Sequence, residues 1–215
     1  MGNLKNWNGN PVFRYKIGRG DPDFRMYRRY YTDLEEYLTP QRVLIIYGPR
    51  RAGKTTLLEN YLEGTGHSYR LDSGDNIRIH DVLGSGDFDR IREYAEGKQL
   101  IAIDEAQQIP NIGMALKIIV DQIPDIRVVA TGSSSFDLSQ SVGEPLTGRK
   151  RTLVLYPLAQ MELAEHYNRH ELRERLDDVL IFGSYPEVML ASGRKNKIEL
   201  LIELVDSYLL RDILS

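Results

Sequence analysis

The stretch RVLIIYGPRRAGKTTLL (42–58) decides the fold. An apolar run ends at Tyr47, two glycines bracket four residues, and Lys54, Thr55 and Thr56 follow. A continuous β-rich run of this kind fits a strand covered on both faces, as in a parallel sheet. GPRRAGKT matches G-x-x-x-x-G-K-[ST], with a strand before it and a helical pattern over 54–63 after it. Gly48 and Gly53 let the backbone curl so that N–H groups point inward at a positive helix terminus, a nest for anions. The whole segment Gly48, Pro49, Arg50, Arg51, Ala52, Gly53, Lys54, Thr55 and Thr56 is therefore the candidate nucleotide-binding loop. Lys54 brings a mobile charge to the β- and γ-phosphates, and the Thr55 hydroxyl suits Mg²⁺. The plainer alternative, a glycine turn that merely opens a helix, does not account for the full pattern in this strand–helix setting.

A phosphate loop needs a partner that holds the metal and directs water. LIAIDEA (100–106) supplies Asp104 and Glu105 at the carboxyl end of an apolar strand, the edge at which open α/β sheets bind ligands. Asp104 is the candidate Mg²⁺ ligand, mostly through water, and Glu105 the candidate residue that polarises the attacking water. The alternative is an acid pair that only caps the next helix. VVATGSSS (128–135) brings Thr131 and Ser133 to a strand end, as hydroxyls for the γ-phosphate or as ordinary turn residues.

Working outward, strands are expected at 42–48, 68–72, 99–106, 126–133 and 151–158, with helices at 54–63 and 112–123 and two short ones within 73–98. That alternation predicts right-handed βαβ units and an α/β fold with a five-stranded parallel sheet flanked by helices. Helical patterns over 158–167, 170–182 and 195–214 predict a small C-terminal helical lid. Met26, Tyr30, Leu34 and Leu38, spaced by four, predict a helix over 23–38 behind an irregular arm of residues 1–22. The expected domains are thus an arm and helix (1–40), a core (41–157) and a lid (158–215). YLLRDILS (208–215) stops inside a helical pattern, which reads as a cut before a further domain.

The chain has 215 residues, 41% of them hydrophobic, ample for a buried core. Its net charge of -3 lends nucleic-acid binding no global support, and the absence of cysteine excludes disulfides and thiolate metal sites. No apolar run approaches the roughly 20 residues that span a bilayer, and the amino terminus lacks a signal-peptide core. A cytoplasmic protein without membrane contact is expected.

Taken with IAIDEAQQIPNIGMALKIIVD (101–121) and VVATGSSSFDLSQSVGEPLTGRKRTLVLYPLAQMEL (128–163), the loop resembles the prokaryotic AAA-type ATPases. More narrowly, it resembles the group with Asp-Glu-x-Gln followed by a proline, Thr-Gly-Ser, Leu-x-Gly-Arg and Pro-Leu-x-x-x-Glu. The resemblance covers residues 41 to 190. It implies ATP and ADP as ligands with Mg²⁺, Mg-dependent hydrolysis, a lid, and a further C-terminal domain that is nuclease-like or of unknown function. Ser133, or Thr131, falls at the family's sensor position. Arg149 falls where such ATPases often place an arginine finger that acts on a neighbouring subunit or domain. Its plainer reading is one member of a basic surface cluster with Lys150 and Arg151. Arg50 and Arg51 contact phosphates or a partner, or else face solvent. GSYPEV (183–188) is either the lid loop that approaches the nucleotide in related ATPases or a simple helix break.

Three functions are compatible with these residues. An ATPase driving conformational change in a larger assembly is favoured by Glu105 next to Asp104. A nucleotide-dependent switch with little turnover follows if Arg149 must act in trans. A small-molecule kinase is disfavoured, because no acceptor site can be read. RMYRRYY (25–31) interleaves basic and aromatic residues, as nucleic-acid contacts do. The same run also fits an amphipathic helix with Tyr30 inward and Arg25, Arg28 and Arg29 solvated.

Overall fold

A computed structural model describes residues 27, 29–31, 33–132 and 145–206. They form two compact units, one built from 33–49 and 61–155, the other from the N-terminal segment up to 32 with 50–60 and 156 onward. The chain runs β1 (Val43–Tyr47), α1 (Lys54–Gly64), β2 (Tyr69–Ser73), α2 (Ile77–Leu83), α3 (Phe88–Ala95) and β3 (Leu100–Asp104). It continues with α4 (Ile112–Gln122), β4 (Arg127–Gly132) and β5 (Lys150–Val154). Five more helices follow among the described residues: α5 (Gln160–Leu163), α6 (Arg169–Glu174), α7 (Leu176–Phe182), α8 (Pro186–Leu190) and α9 (Arg194–Leu204).

The first unit holds one five-stranded sheet in the order β2-β3-β4-β1-β5, parallel throughout. The expected α/β fold with a parallel sheet is the observed one. β1, β3 and β4 are the apolar runs, and every residue of VLIIY is buried, as strands covered on both faces require. Val43, Ile45 and Tyr47 share a core with Ile101, Ile103, Val128 and Ala130, against Ile79 and Leu83 of α2, Ile91 of α3 and Leu116 of α4. The edge strands β2 and β5 are more exposed, which is why their sequences are more polar. Since all strands run the same way, Tyr47, Asp104 and Gly132 end at one sheet edge.

At the surface of this unit Glu35 accepts from the Tyr61 hydroxyl and pairs with His67 at 3.1 Å and Arg127 at 3.4 Å. Burial alone would raise its pKa, but the Tyr61 hydroxyl, the His67 ring and the Arg127 guanidinium outweigh burial and hold it below the usual carboxylate range.

The N-terminal segment departs from expectation. In place of a helix over 23–38, the described residues contain a 3-10 turn at Leu34–Tyr37, with the Asp33 carboxylate accepting the Glu35 N–H at 3.1 Å. Tyr30 is 61% exposed and Arg29 only 6%, the reverse of the amphipathic reading. The cause is a distant acceptor. Glu162 of α5 pairs with Arg29 Nε at 3.2 Å, accepts the Tyr30 N–H at 2.6 Å and accepts the Ala159 N–H at 2.8 Å. Arg29 also donates to the Tyr156 carbonyl, and the Tyr27 and Tyr167 hydroxyls bond at 2.8 Å. Arg29 is thus engaged inside its own unit, while Arg25 and Arg28 lie outside the described residues. The expected helix over 170–182 divides into α6 and α7 at Arg175, and Pro186 starts α8; the end of the one expected over 195–214 lies outside the described residues.

Two measurements check this packing. Arg29→Met strands the buried Glu162 carboxylate and should cost about 3 kcal/mol in urea unfolding; a change under about 0.5 kcal/mol would contradict the pairing. Because Glu35 is depressed in the folded state, its stabilisation is complete above its unfolded pKa and is lost as pH falls through the folded value. Glu35→Gln should therefore flatten the acid limb of the stability–pH curve and leave the alkaline limb alone.

Candidate nucleotide site

β1 delivers the phosphate loop. The Tyr47 carbonyl accepts the Leu155 N–H at 2.6 Å, and a Cβ at residue 48 would collide with the Leu155 carbonyl. Gly48 is therefore required by close backbone approach, before any ligand is considered. Gly53 has φ 98°, which a side chain would strain, and Arg51 has φ 60°. The Leu57 N–H bonds the Gly53 carbonyl at 2.9 Å, so the first turn of α1 starts from the second glycine of the motif. Lys54 is buried at 4% exposure and Ala52 at 0%.

β3 and β4 deliver the acids. Thr131, fully buried on β4, donates its hydroxyl proton to Asp104 Oδ1 and accepts the Glu105 N–H at 3.2 Å. Glu105 itself adopts left-handed backbone, φ 48° and ψ 42°, a conformation that costs a non-glycine residue and recurs at functional sites. Its carbonyl accepts the Gln108 N–H at 3.0 Å, and its carboxylate Oε2 accepts from Gln107 Nε2 at 2.5 Å. Gly74, just past β2, donates its N–H to the Asp104 carbonyl at 2.8 Å and lies so close to the Glu105 carbonyl that no Cβ fits. The acid pair is therefore a clamped bend rather than a helix cap: Glu105 makes no side-chain capping hydrogen bond to the short helix that follows.

Sequence reasoning missed three of these roles. Thr131 serves the acids through a hydroxyl already committed to Asp104. Gly74 had a faint signal, a glycine directly after a strand. Gln107 stood in the Asp-Glu-x-Gln pattern with no role assigned. Ser133 lies outside the described residues.

The arginines are held at specific places. Arg149 Nε pairs with Asp121 Oδ1 at 2.6 Å, with 43% of the Arg149 side chain exposed. Arg51 pairs with Glu187 of α8 at 3.1 Å and with Glu203 of α9. GSYPEV breaks the helix, with Gly183 ending α7 at φ 75° and Pro186 opening α8. It also reaches the phosphate loop, through Glu187 rather than its proline.

Among the described residues no group of three or more His, Cys, Asp or Glu side chains could hold a metal by itself. An Mg²⁺ site in a nucleotide enzyme needs none, because one or two protein oxygens complete a shell of water and phosphate. No helix among the described residues is long and apolar enough to cross a membrane.

The family model described as AAA domain matches residues 40–164. An uncharacterized protein of Methanocaldococcus jannaschii is 26% identical, over 84% of this chain and 44% of its own length. One of Mycobacterium tuberculosis is 32% identical, over 50% of this chain and 23% of its own length. The chain thus spans less than half the length of these curated relatives. A Walker-type ATPase of Pyrococcus abyssi superposes with TM-score 0.51 at 15% identity, over 80% of this chain and 69% of that one, a likeness of fold.

Thr131→Val removes the donor to Asp104 and the acceptor of the Glu105 N–H. Leaving these partners unsatisfied should cost about 2 kcal/mol in chemical denaturation, whereas Thr131→Ser should lose less than half of that. A Thr131→Val variant as stable as the wild type would show that the hydroxyl contributes nothing.

Proposed function

The chain belongs to the AAA domain family, and from that premise we propose that it is a Mg²⁺-dependent ATPase whose cycle drives conformational change in a larger protein. The observation that carries this reading is the clamped Glu105 beside Asp104 at the end of β3. A nucleotide store has no need of a strained acid whose N–H, carbonyl and carboxylate are all held.

In this reading the N–H groups of the 48–56 loop and the Lys54 ammonium bind the phosphates of ATP. The Thr55 hydroxyl and Asp104 would hold Mg²⁺, which when bound neutralises charge on the β- and γ-phosphates. Hard oxygen donors of this kind suit that ion. Glu105 takes a proton from the attacking water as its oxygen bonds the γ-phosphorus. The bond to the β–γ bridging oxygen breaks, and ADP and phosphate leave. Thr131 keeps the Asp104 carboxylate and the Glu105 backbone in register through this step.

A second reading, a nucleotide-operated switch with little turnover, is favoured by one contact. Arg149 is occupied by Asp121, so a charge that could serve a neighbouring γ-phosphate is held within its own unit. A finger in trans would make the specific rate rise with protein concentration, and Asp121→Asn would release it.

Phosphate release from ATP is the test. Glu105→Gln should slow it by about 100-fold or more while ATP still binds, and Lys54→Ala should abolish both binding and release. Release that persists in both variants would overturn the ATPase reading. A specific rate independent of dilution, unchanged by Asp121→Asn, would remove the trans role of Arg149.

A further inference from the structure

α2 and the turn before it stand outside every motif read from the sequence, yet they bear on the acid pair. The His80 imidazole meets the Gly74 carbonyl with Nε2 at 2.6 Å, as the donor. Gly74 is buried, its N–H is given to Asp104, and its Cα is wedged against the Glu105 carbonyl with no room for a side chain. A carbonyl accepts and cannot donate, so the His80 nitrogen facing it carries a proton in this contact. α2 is itself anchored: Ile79 and Leu83 are buried in the sheet core, and the Asn76 side chain caps the helix at the Arg78 N–H. A chain of direct contacts therefore runs from the hydrophobic core through His80 and Gly74 to the backbone of Glu105.

The remaining supports of the bend are local or lie on β4. Thr131 holds the Glu105 N–H, Gln108 holds its carbonyl and Gln107 holds its carboxylate. Thr131 tethers the bend from the side of β4, and Gly74 bounds it on the side of β2. Gly74 precedes a turn and has no side chain of its own to anchor it. We infer that His80 is a positioning residue for Glu105, pinning Gly74 so that the left-handed bend keeps the Glu105 carboxylate aimed for water activation. The inference rests on the ATPase reading for its kinetic consequence, but its structural content does not.

The test compares His80→Phe, which keeps a ring and loses the donor, with His80→Gln, which keeps an N–H at similar reach. The Phe variant should lower kcat for ATP about tenfold while the ATP Kd changes by less than about twofold, and the Gln variant should restore most of the rate. In a Glu105→Gln background His80→Phe should add nothing, because a residue acting through Glu105 has no carboxylate left to aim. Independently of turnover, amide hydrogen exchange at Glu105 and Gln108 should accelerate about tenfold in His80→Phe, with the amides of β1 unchanged. Unchanged exchange at those two amides overturns the inference, as does a His80→Phe effect that multiplies with Glu105→Gln. If the wild-type chain releases no phosphate, the ATPase reading fails on its own, while the exchange result still decides the role of His80.

Discussion

A strand buried on both faces has no water to satisfy its backbone, so β1 depends on two ladders supplied from far along the chain. Val43 pairs with Val128 on one side and with Lys150 on the other, and the pairing continues in register to Tyr47. Without both partners, five buried residues would leave N–H and C=O groups unmet, at a cost no apolar burial repays. The phosphate loop inherits its shape from this arrangement. It begins where the β1 ladder ends, and the Leu155 backbone presses on Gly48 because β5 ends in register beside it.

The same logic governs the acids. β3 stops at Asp104, and Thr131, the residue of β4 directly after the Ile103–Ala130 pair, places its hydroxyl between Asp104 and the Glu105 N–H. Parallel register is thus what turns a polar residue on one strand into the support of the Asp104 carboxylate and the Glu105 backbone on the next. The left-handed backbone at Glu105 persists because each of its polar groups is answered and Gly74 closes the remaining side. Structure and prospective chemistry use the same few hydrogen bonds.

Much of this was legible in the residues, and the exceptions have physical causes. β1, β3 and β4 were readable because burial on both faces forces an unbroken apolar run, and the loop because its glycines and lysine recur at a fixed spacing after such a run. Asp104 and Glu105 stood out as acids at the end of such a run. The segment around Arg29 was not readable: a spacing of four in Met26, Tyr30, Leu34 and Leu38 mimics a helix, while the deciding partner, Glu162, lies far along the sequence. Gly74 gave only a faint signal and His80 none, since Gly74 takes its meaning from the neighbouring β3 and His80 from Gly74. Arg149 was visible as an arginine in a family pattern, but its pairing with Asp121 is a fact of three-dimensional placement. Local signals survive in sequence, whereas roles assigned by register do not.

The Arg51 fork has a thermodynamic corollary. Its guanidinium belongs to the phosphate loop, and its two carboxylate partners belong to α8 and α9. Coupling free energy is reciprocal, so any anion that draws Arg51 away from Glu187 and Glu203 gives up, in its own affinity, whatever those contacts contributed. Two glutamates on C-terminal helices would therefore compete with any anion that the loop takes up. Being partly exposed, they do so with a strength that falls as ionic strength rises.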